Sequence, residues 1–400
     1  MSLAYEFSNP ENPWLNLKTT IYHNEIDIDE ADLASKTRLS RQITTEGFTL
    51  ENQSTIAFGE NSKNILSYGI EYYSEEQDGS DSRNSDGQYG AAPDAKTSYQ
   101  AAFLQNEINI GNLGDIPGEL LIIPGVRIDG YKSKNETGVS LDENKVSPKL
   151  ALTYKPKEWL MLFGNYAEGF RAPNMTETFT TGTHFSIPFA GNNVFIPNPD
   201  LRPETNESLE FGFGVQFKDV AKKDDHLKLK FSRFDIKSED FIDLDVDFSF
   251  APCCGTTQSV NVEKASLWGH EFEGGYENDI IRATAGYSYI TGKNDLTGEY
   301  LTNITPLTFK TDFALKVPAI SSFIGLKSTY AAEHDKVNED EAKRDGYAVH
   351  DVYLQINPKG FSDLTVNLGV DNLFNKEYER VFAGSIEPAR NYKANISYKW

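Results

Sequence analysis

The chain has 400 residues, 60 Asp and Glu against 38 Lys and Arg, a formal charge of −22 and a mean hydropathy of −0.50. That charge repels phosphates and excludes nucleic acid as a partner. No apolar run approaches the roughly 20 residues of a membrane helix, but a β-barrel escapes that test because only alternate residues of each strand face lipid. The 20 Tyr and 25 Phe suit the aromatic girdles of such a barrel.

Met1-Ser2-Leu3 runs straight into Ala4-Tyr5-Glu6-Phe7, with no basic or apolar region of a signal peptide. About sixteen strand-like runs then follow, beginning near Trp14, Lys36, Asn64, Lys96, Gly118, Lys145, Glu158, Pro203, His226, Ser259, Ile280, Pro306, Ser321, Gly346, Asp363 and Asn391. In one of them Leu209, Phe211, Phe213, Val215 and Phe217 alternate with Glu210, Gly212, Gly214 and Gln216. In another, Ile281, Ala283, Ala285, Tyr287 and Tyr289 alternate with Arg282, Thr284, Gly286 and Ser288. One face of each run is apolar and the other polar but mostly uncharged, which fits a wall between lipid and a wet or plugged lumen.

Connections alternate in length. Lys155-Pro156-Lys157, Glu277-Asn278-Asp279, Pro318-Ala319-Ile320 and Pro358-Lys359-Gly360 are short; the stretches 78–96, 169–203, 245–260 and 332–345 are long. Short turns at one rim and long loops at the other are the layout of a transmembrane barrel. Acidic residues gather in the loops, at 75–86 and 333–341. The only cysteines, Cys253 and Cys254, are adjacent; they form no disulfide framework, leaving a vicinal disulfide as one reading. No repeat or linker interrupts the pattern, so residues 1–400 read as one all-β, antiparallel barrel unit. Its last strand places Tyr392, Ala394, Ile396, Tyr398 and Trp400 on one face and ends on an aromatic.

Several stretches resemble TonB-dependent outer-membrane receptors. Val370-Asp371-Asn372-Leu373-Phe374-Asn375-Lys376-Glu377-Tyr378 is similar to that family's signature before the last hairpin, and Glu387-Pro388-Ala389-Arg390-Asn391-Tyr392 to its lead into the closing strand. Val260 to Ala265 with Trp268-Gly269-His270-Glu271 resembles another recurring strand, and Pro10-Glu11-Asn12-Pro13-Trp14 through Tyr22 reads like the middle of such a barrel. Phe170-Arg171-Ala172-Pro173 and Asn198-Pro199-Asp200-Leu201 bracket one long loop. They resemble the FRAP and NPNL boxes of the haem and haemoglobin receptor subfamily, with Asp200 where Asn is usual.

The resemblance implies 22 strands and an N-terminal plug, of which this chain holds the C-terminal part of the barrel, about 16 strands, without plug or TonB box. It implies an outer-membrane location with the long loops outside the cell, and uptake of haem, free or from a haemoglobin-type carrier. TonB–ExbB–ExbD coupling would act through the N-terminal region, and outer-membrane lipid and lipopolysaccharide would surround the wall. Haem is then a transported ligand rather than a resident cofactor. In that subfamily a histidine between the boxes is an axial ligand to the haem iron, the second lying on the plug. His184 is the only histidine in the interval. Neutral imidazole binds haem iron well, and Phe179, Phe185, Phe189 and Phe195 are the nearby rings suited to a porphyrin face. Arg171 and Glu204 are expected to brace the loop base, with Pro173, Pro199 and Pro203 stiffening its exits.

The other histidines, His23, His226, His270, His334 and His350, have no metal-spaced partner. No nucleophile-elbow, phosphate-cradling or zinc-protease motif is present, so no enzyme activity is expected. The competing readings are a receptor for a ferric siderophore, cobalamin or another nutrient, a passive sixteen-stranded porin, and a soluble β-rich adhesin.

Overall fold

The computed structural model describes all residues except 34–35, 59–61, 83–92, 112–113, 115, 137, 188, 250–253, 302–303, 339–341, 362, 382–384 and 400. Its strands are β1 (Ser2–Ser8), β2 (Asn16–Asp32), β3 (Thr37–Ala57), β4 (Ser62–Asp81), β5 (Ala95–Ile110), β6 (Glu119–Asn135), β7 (Ser140–Lys157) and β8 (Leu160–Arg171), followed by a short helix α1 (Met175–Phe179). After α1 come β9 (Gly182–Ile187), β10 (Gly191–Phe195), β11 (Glu204–Lys218), β12 (His226–Val246), β13 (Thr256–Glu277), β14 (Ile281–Asn294) and β15 (Thr308–Val317). The chain finishes with β16 (Ser322–Ala331), β17 (Tyr347–Ile356), β18 (Leu364–Asp371) and β19 (Asn391–Tyr398).

The wall is a meander of antiparallel neighbours. β1 to β8 pair in chain order, β8 pairs with β11, and β11 to β19 pair in chain order. β9 and β10 form a hairpin inside the β8–β11 connection. All sixteen runs read from the sequence are strands. The wall also includes β1, a seven-residue run whose Leu3, Tyr5 and Phe7 alternate outward, so the boxed loop follows the eighth wall strand rather than the seventh. Among the described residues β1 pairs with β2 and β19 with β18, no register joins β19 to β1, and Trp400 lies outside those residues.

The sidedness of the wall is the reverse of a soluble protein's. Leu209, Phe211 and Phe213 are 49%, 48% and 44% exposed, and Ile70, Ile128, Leu152, Phe313 and Ile324 continue that outward apolar band. The other face encloses a cavity of about 1320 Å³ lined by Lys228, Glu273, Lys310, Asp312, Lys327 and Asp351, among others. Turning those charges towards the enclosed space and those rings to the outside makes sense only with lipid outside and water inside.

Turns are short at one rim (158–159, 278–280, 318–321) and long at the other (82–94, 172–203, 295–307, 332–346, 372–390). The alternation has two exceptions, the connections 33–36 and 136–139 at the long-loop rim. There the strands themselves project: β2 and β3 have 17 and 21 residues, well beyond the roughly 9–11 that cross a bilayer.

Candidate functional site

The 172–203 connection is held at its base by Arg171. Its Nε and one terminal nitrogen donate to both oxygens of Glu204, at 2.6 and 2.7 Å, and the other terminal nitrogen to Glu177 at 2.8 Å. A planar guanidinium meets a carboxylate in this two-pronged way, which fixes direction as well as distance. Glu204 is buried and also accepts the Ile242 N–H at 2.8 Å, so one cluster ties β8, α1, β11 and β12 together. Glu177 closes a capping box with Asn174, which starts α1 immediately after the buried Pro173. The scaffold role expected of Arg171 and Glu204 holds. Below them, a cavity of about 480 Å³ is bordered by Tyr73, Tyr99, Arg127, Phe170 and Arg171.

The second box clamps the returning chain onto β13. Asn198 donates its N–H to Thr178 O and its amide to Ser259 O, and its side-chain oxygen accepts the Asp200 N–H. Leu201 is completely buried. Asp200 itself is exposed. Its departure from the usual Asn therefore disturbs none of these bonds. Val194 and Phe195 pair in parallel with Thr256 and Thr257, which docks the β9–β10 hairpin against the wall's extension.

His184 sits in β9, half-buried, with the Phe195 ring 4.6 Å away and the Phe185 ring edge-on at 5.0 Å. Its Nδ1 lies 2.8 Å from Thr257 Oγ1. Thr257 and Asn193 are fully buried, and the hydrogen bonds around them fix the direction of that contact. The Asn193 amide nitrogen donates to the carbonyls of Asp247 and Cys254, which only accept, so its oxygen faces Thr257. The Thr257 hydroxyl gives its single proton to that oxygen, at 2.6 Å. Towards His184, Thr257 Oγ1 is therefore the acceptor, and Nδ1 carries the hydrogen. In the neutral ring Nε2 then holds the lone pair, and among the described residues it has no hydrogen-bond partner. This is the arrangement in which a histidine binds a metal, with the other ring nitrogen anchored behind it.

The aromatic residues divide. Phe185 and Phe195 flank the imidazole, and Phe189 stands fully exposed at the hairpin tip with a φ of 64°. Phe179, expected on a porphyrin face, is instead 2% exposed, packed with Met175 and Ala95 where α1 meets β5. It serves as the helix's anchor. Thr257 and Asn193 went unrecognised in the sequence, since nothing in their spacing ties positions 73 and 9 residues from His184 to it. Cys254 is buried and disulfide-bonded; Cys253 lies outside the described residues.

Residues 1–373 match the family described as "TonB dependent receptor-like, beta-barrel". The chain belongs to that family. This TonB-dependent receptor barrel is an outer-membrane protein by family, and no helix among its described residues is long and apolar enough to cross a membrane. It is 33% identical over 403 aligned residues to the hemin receptor of Yersinia pestis, covering 100% of this chain and 57% of that protein. It is 28% identical to heme/hemopexin utilization protein C of Haemophilus influenzae, covering 98% of this chain and 56% of the relative. The chain thus spans a little over half the length of these curated relatives. Among solved structures, the Serratia marcescens hemophore receptor HasR, bound to its hemophore HasA and heme, superposes with a TM-score of 0.82 at 21% identity. That match covers 100% of this chain and 65% of HasR. The copper transporter OprC superposes at 0.77 with 17% identity, over 99% of this chain and 65% of its own, so the barrel shape by itself selects no ligand.

Proposed function

We propose that this barrel belongs to a receptor that takes up haem across the outer membrane, with its long-loop rim outside the cell and His184 Nε2 as one axial ligand to the iron. The observation that carries the reading is the directed chain from Asn193 through Thr257 to His184, which presents an unpartnered nitrogen inside the boxed loop. Phe185 and Phe195 flank the imidazole with apolar ring surface suited to a porphyrin. The identity to curated hemin receptors along the whole chain supports haem over the ferric siderophores and copper carried by other barrels of this shape. Haem is cargo, bound and released without covalent change, so the protein is a transporter and not an enzyme. Haem or a haem-carrier protein would engage the long loops, and TonB-linked energy would drive release inward.

The test is growth on haem as sole iron source, in a host lacking other haem receptors. Complementation by the full receptor, its dependence on TonB, and its loss on His184→Ala support the proposal. Equal growth with the His184→Ala receptor removes the ligand assignment, and failure of the unmodified receptor removes haem.

A further inference from the structure

On the lumen side of the wall, where the strands leave the outward apolar band, aromatic rings stand in one row. Tyr73, Tyr99 and Tyr131 are direct register partners on β4, β5 and β6. Tyr72 and Ile128 of the same strands are 41% and 52% exposed on the outward face, so alternation turns the three tyrosines inward. The row reaches back to β2 through Gly47, the register partner of both Tyr22 and Tyr73. A Cβ at Gly47 would lie 2.6 Å from the Tyr22 ring, so the missing side chain makes room for that ring beside Tyr73.

The rings are packed against one another. Tyr73 and Tyr99 stack with centres 4.4 Å apart and planes at 19°, and Tyr99 and Tyr131 with centres 6.1 Å apart. Phe170, beyond the last β7–β8 pair of Lys149 with Ala167, ends the row with its ring 6.0 Å from Tyr131. Tyr73, Tyr99 and Phe170 border the cavity of about 480 Å³ beneath the boxed loop. Tyr131 is buried, and its hydroxyl is enclosed with no hydrogen-bond partner among the described residues. A buried hydroxyl without a partner opposes folding, and such an exception calls for a role.

The charges beside the row are already matched. Arg127 meets Glu71 at 2.9 Å and Asp129 at 2.7 Å, and Arg171 is held by Glu204 and Glu177. What the row presents to a ligand is therefore aromatic surface rather than net charge. Because the rings stack along the row, they turn their edges to the lumen, and ring edges are the electropositive part that meets the flat face of another π-system. Adjacent strands lie about 4.8 Å apart, so Tyr73 to Tyr131 covers roughly 10 Å. One phenolic or catechol ring would cover a single edge, whereas the broad face of a tetrapyrrole covers several at once. No metal is needed for that contact.

We propose that this row is a second seat for the cargo, independent of the iron, where the edges of Tyr73, Tyr99 and Tyr131 carry the flat face of a tetrapyrrole on its way inward. The inference rests on the haem reading and adds a station to it. The test uses the full receptor purified from outer membranes and two probes, haem and iron-free protoporphyrin, the second followed by fluorescence anisotropy. A histidine has no iron to ligate in the second probe, so His184→Ala should bind it as well as the unmodified receptor does. Y73L/Y99L should weaken its binding at least about tenfold, while Y73F/Y99F, which keeps the ring edges, stays within about twofold. Purified Y73L/Y99L should keep the haem spectrum and haem affinity of the unmodified receptor, and cells carrying it should take up haem at least about fivefold more slowly. If the double variant does not insert, Y99L alone should move both readouts in the same direction. Porphyrin affinity or haem uptake unaffected by Y73L/Y99L overturns the proposal. A parallel fall in unfolding temperature, haem affinity and uptake overturns it too, since the row is then a packing surface only. An unmodified receptor that gives no haem spectrum defeats the haem reading instead, whereas haem ligation by His184 with porphyrin binding indifferent to Tyr73 and Tyr99 defeats this proposal alone.

Discussion

The His184 ring and the Thr257 hydroxyl, 73 positions apart in the chain, meet at 2.8 Å, and that contact decides which ring nitrogen is free. The decision is made further back, where Asn193 commits its amide nitrogen to the Asp247 and Cys254 carbonyls. A side chain that can only accept at one end leaves Thr257 no choice about its proton. The loop thus fixes which nitrogen of the His184 ring is turned to the ligand before any ligand arrives.

Thr257→Val keeps the volume and removes the acceptor behind His184. Loss of such an anchoring partner lowers affinity for a bound metal by about 10–100-fold. It also leaves the buried Asn193 oxygen without a donor, at a cost of about 1–3 kcal/mol. Haem titration should show weaker binding for Thr257→Val and near-normal binding for Thr257→Ser; equal affinity for all three forms contradicts the assigned direction of the bond.

Arg171→Ala leaves the buried Glu204 without its bidentate partner and frees Glu177. The Arg171 side chain is 40% exposed, so solvent screens part of the loss, and about 1–3 kcal/mol is the expected destabilisation. Limited proteolysis should cut the 172–203 connection faster while the wall stays resistant. Arg171→Lys should not restore protection fully, since an ammonium cannot fork across both Glu204 oxygens.

Gly255 begins the turn into β13 with a φ of 84°, and a Cβ there would lie 1.9 Å from Asp247 O. Gly255→Ala therefore strains the backbone by about 1–3 kcal/mol and shifts the segment that holds Thr257. Haem affinity should fall with little change in barrel stability; unchanged affinity would separate this turn from the site.

Asp225, in the short turn between β11 and β12, is buried, which alone raises its pKa. The N–H groups of Ala221, Val220 and Lys222 and the Tyr276 hydroxyl outweigh that and hold its carboxyl at about 2. A carboxyl lowered by folding stabilises above the ordinary carboxylate range, about pH 4, and loses that contribution as pH falls towards 2. Asp225→Asn should be less stable than the unmodified receptor at pH 7, and the gap in unfolding temperature should close between pH 4 and pH 2. A gap that stays constant with pH rules out the carboxylate as its source.

The wall was legible because alternation over eight or more residues survives whatever the loops do, as Leu209 to Phe217 and Asn391 to Tyr398 illustrate. β1 escaped because it is short, and β9 and β10 because five or six residues of loop hairpin carry little periodic signal. In the site, Arg171 and Glu204 were readable as a charge pair at the ends of strands that neighbour each other in the meander. Thr257 and Asn193 were not, since their roles depend on how the β9–β10 hairpin registers against β13. Phe179 shows the limit from the other side: an aromatic in a loop reads the same whether it faces a ligand or anchors a helix.

The most direct measurement is a haem titration of the purified receptor, followed in the Soret band and by the spin state of the iron, for the unmodified protein and His184→Ala. Histidine ligation through Nε2 predicts the Soret position and spin state of an imidazole-ligated iron in the unmodified receptor. It predicts that His184→Ala loses this signature and binds more weakly than Thr257→Val does. Identical spectra and affinities with and without the His184 imidazole would contradict the account.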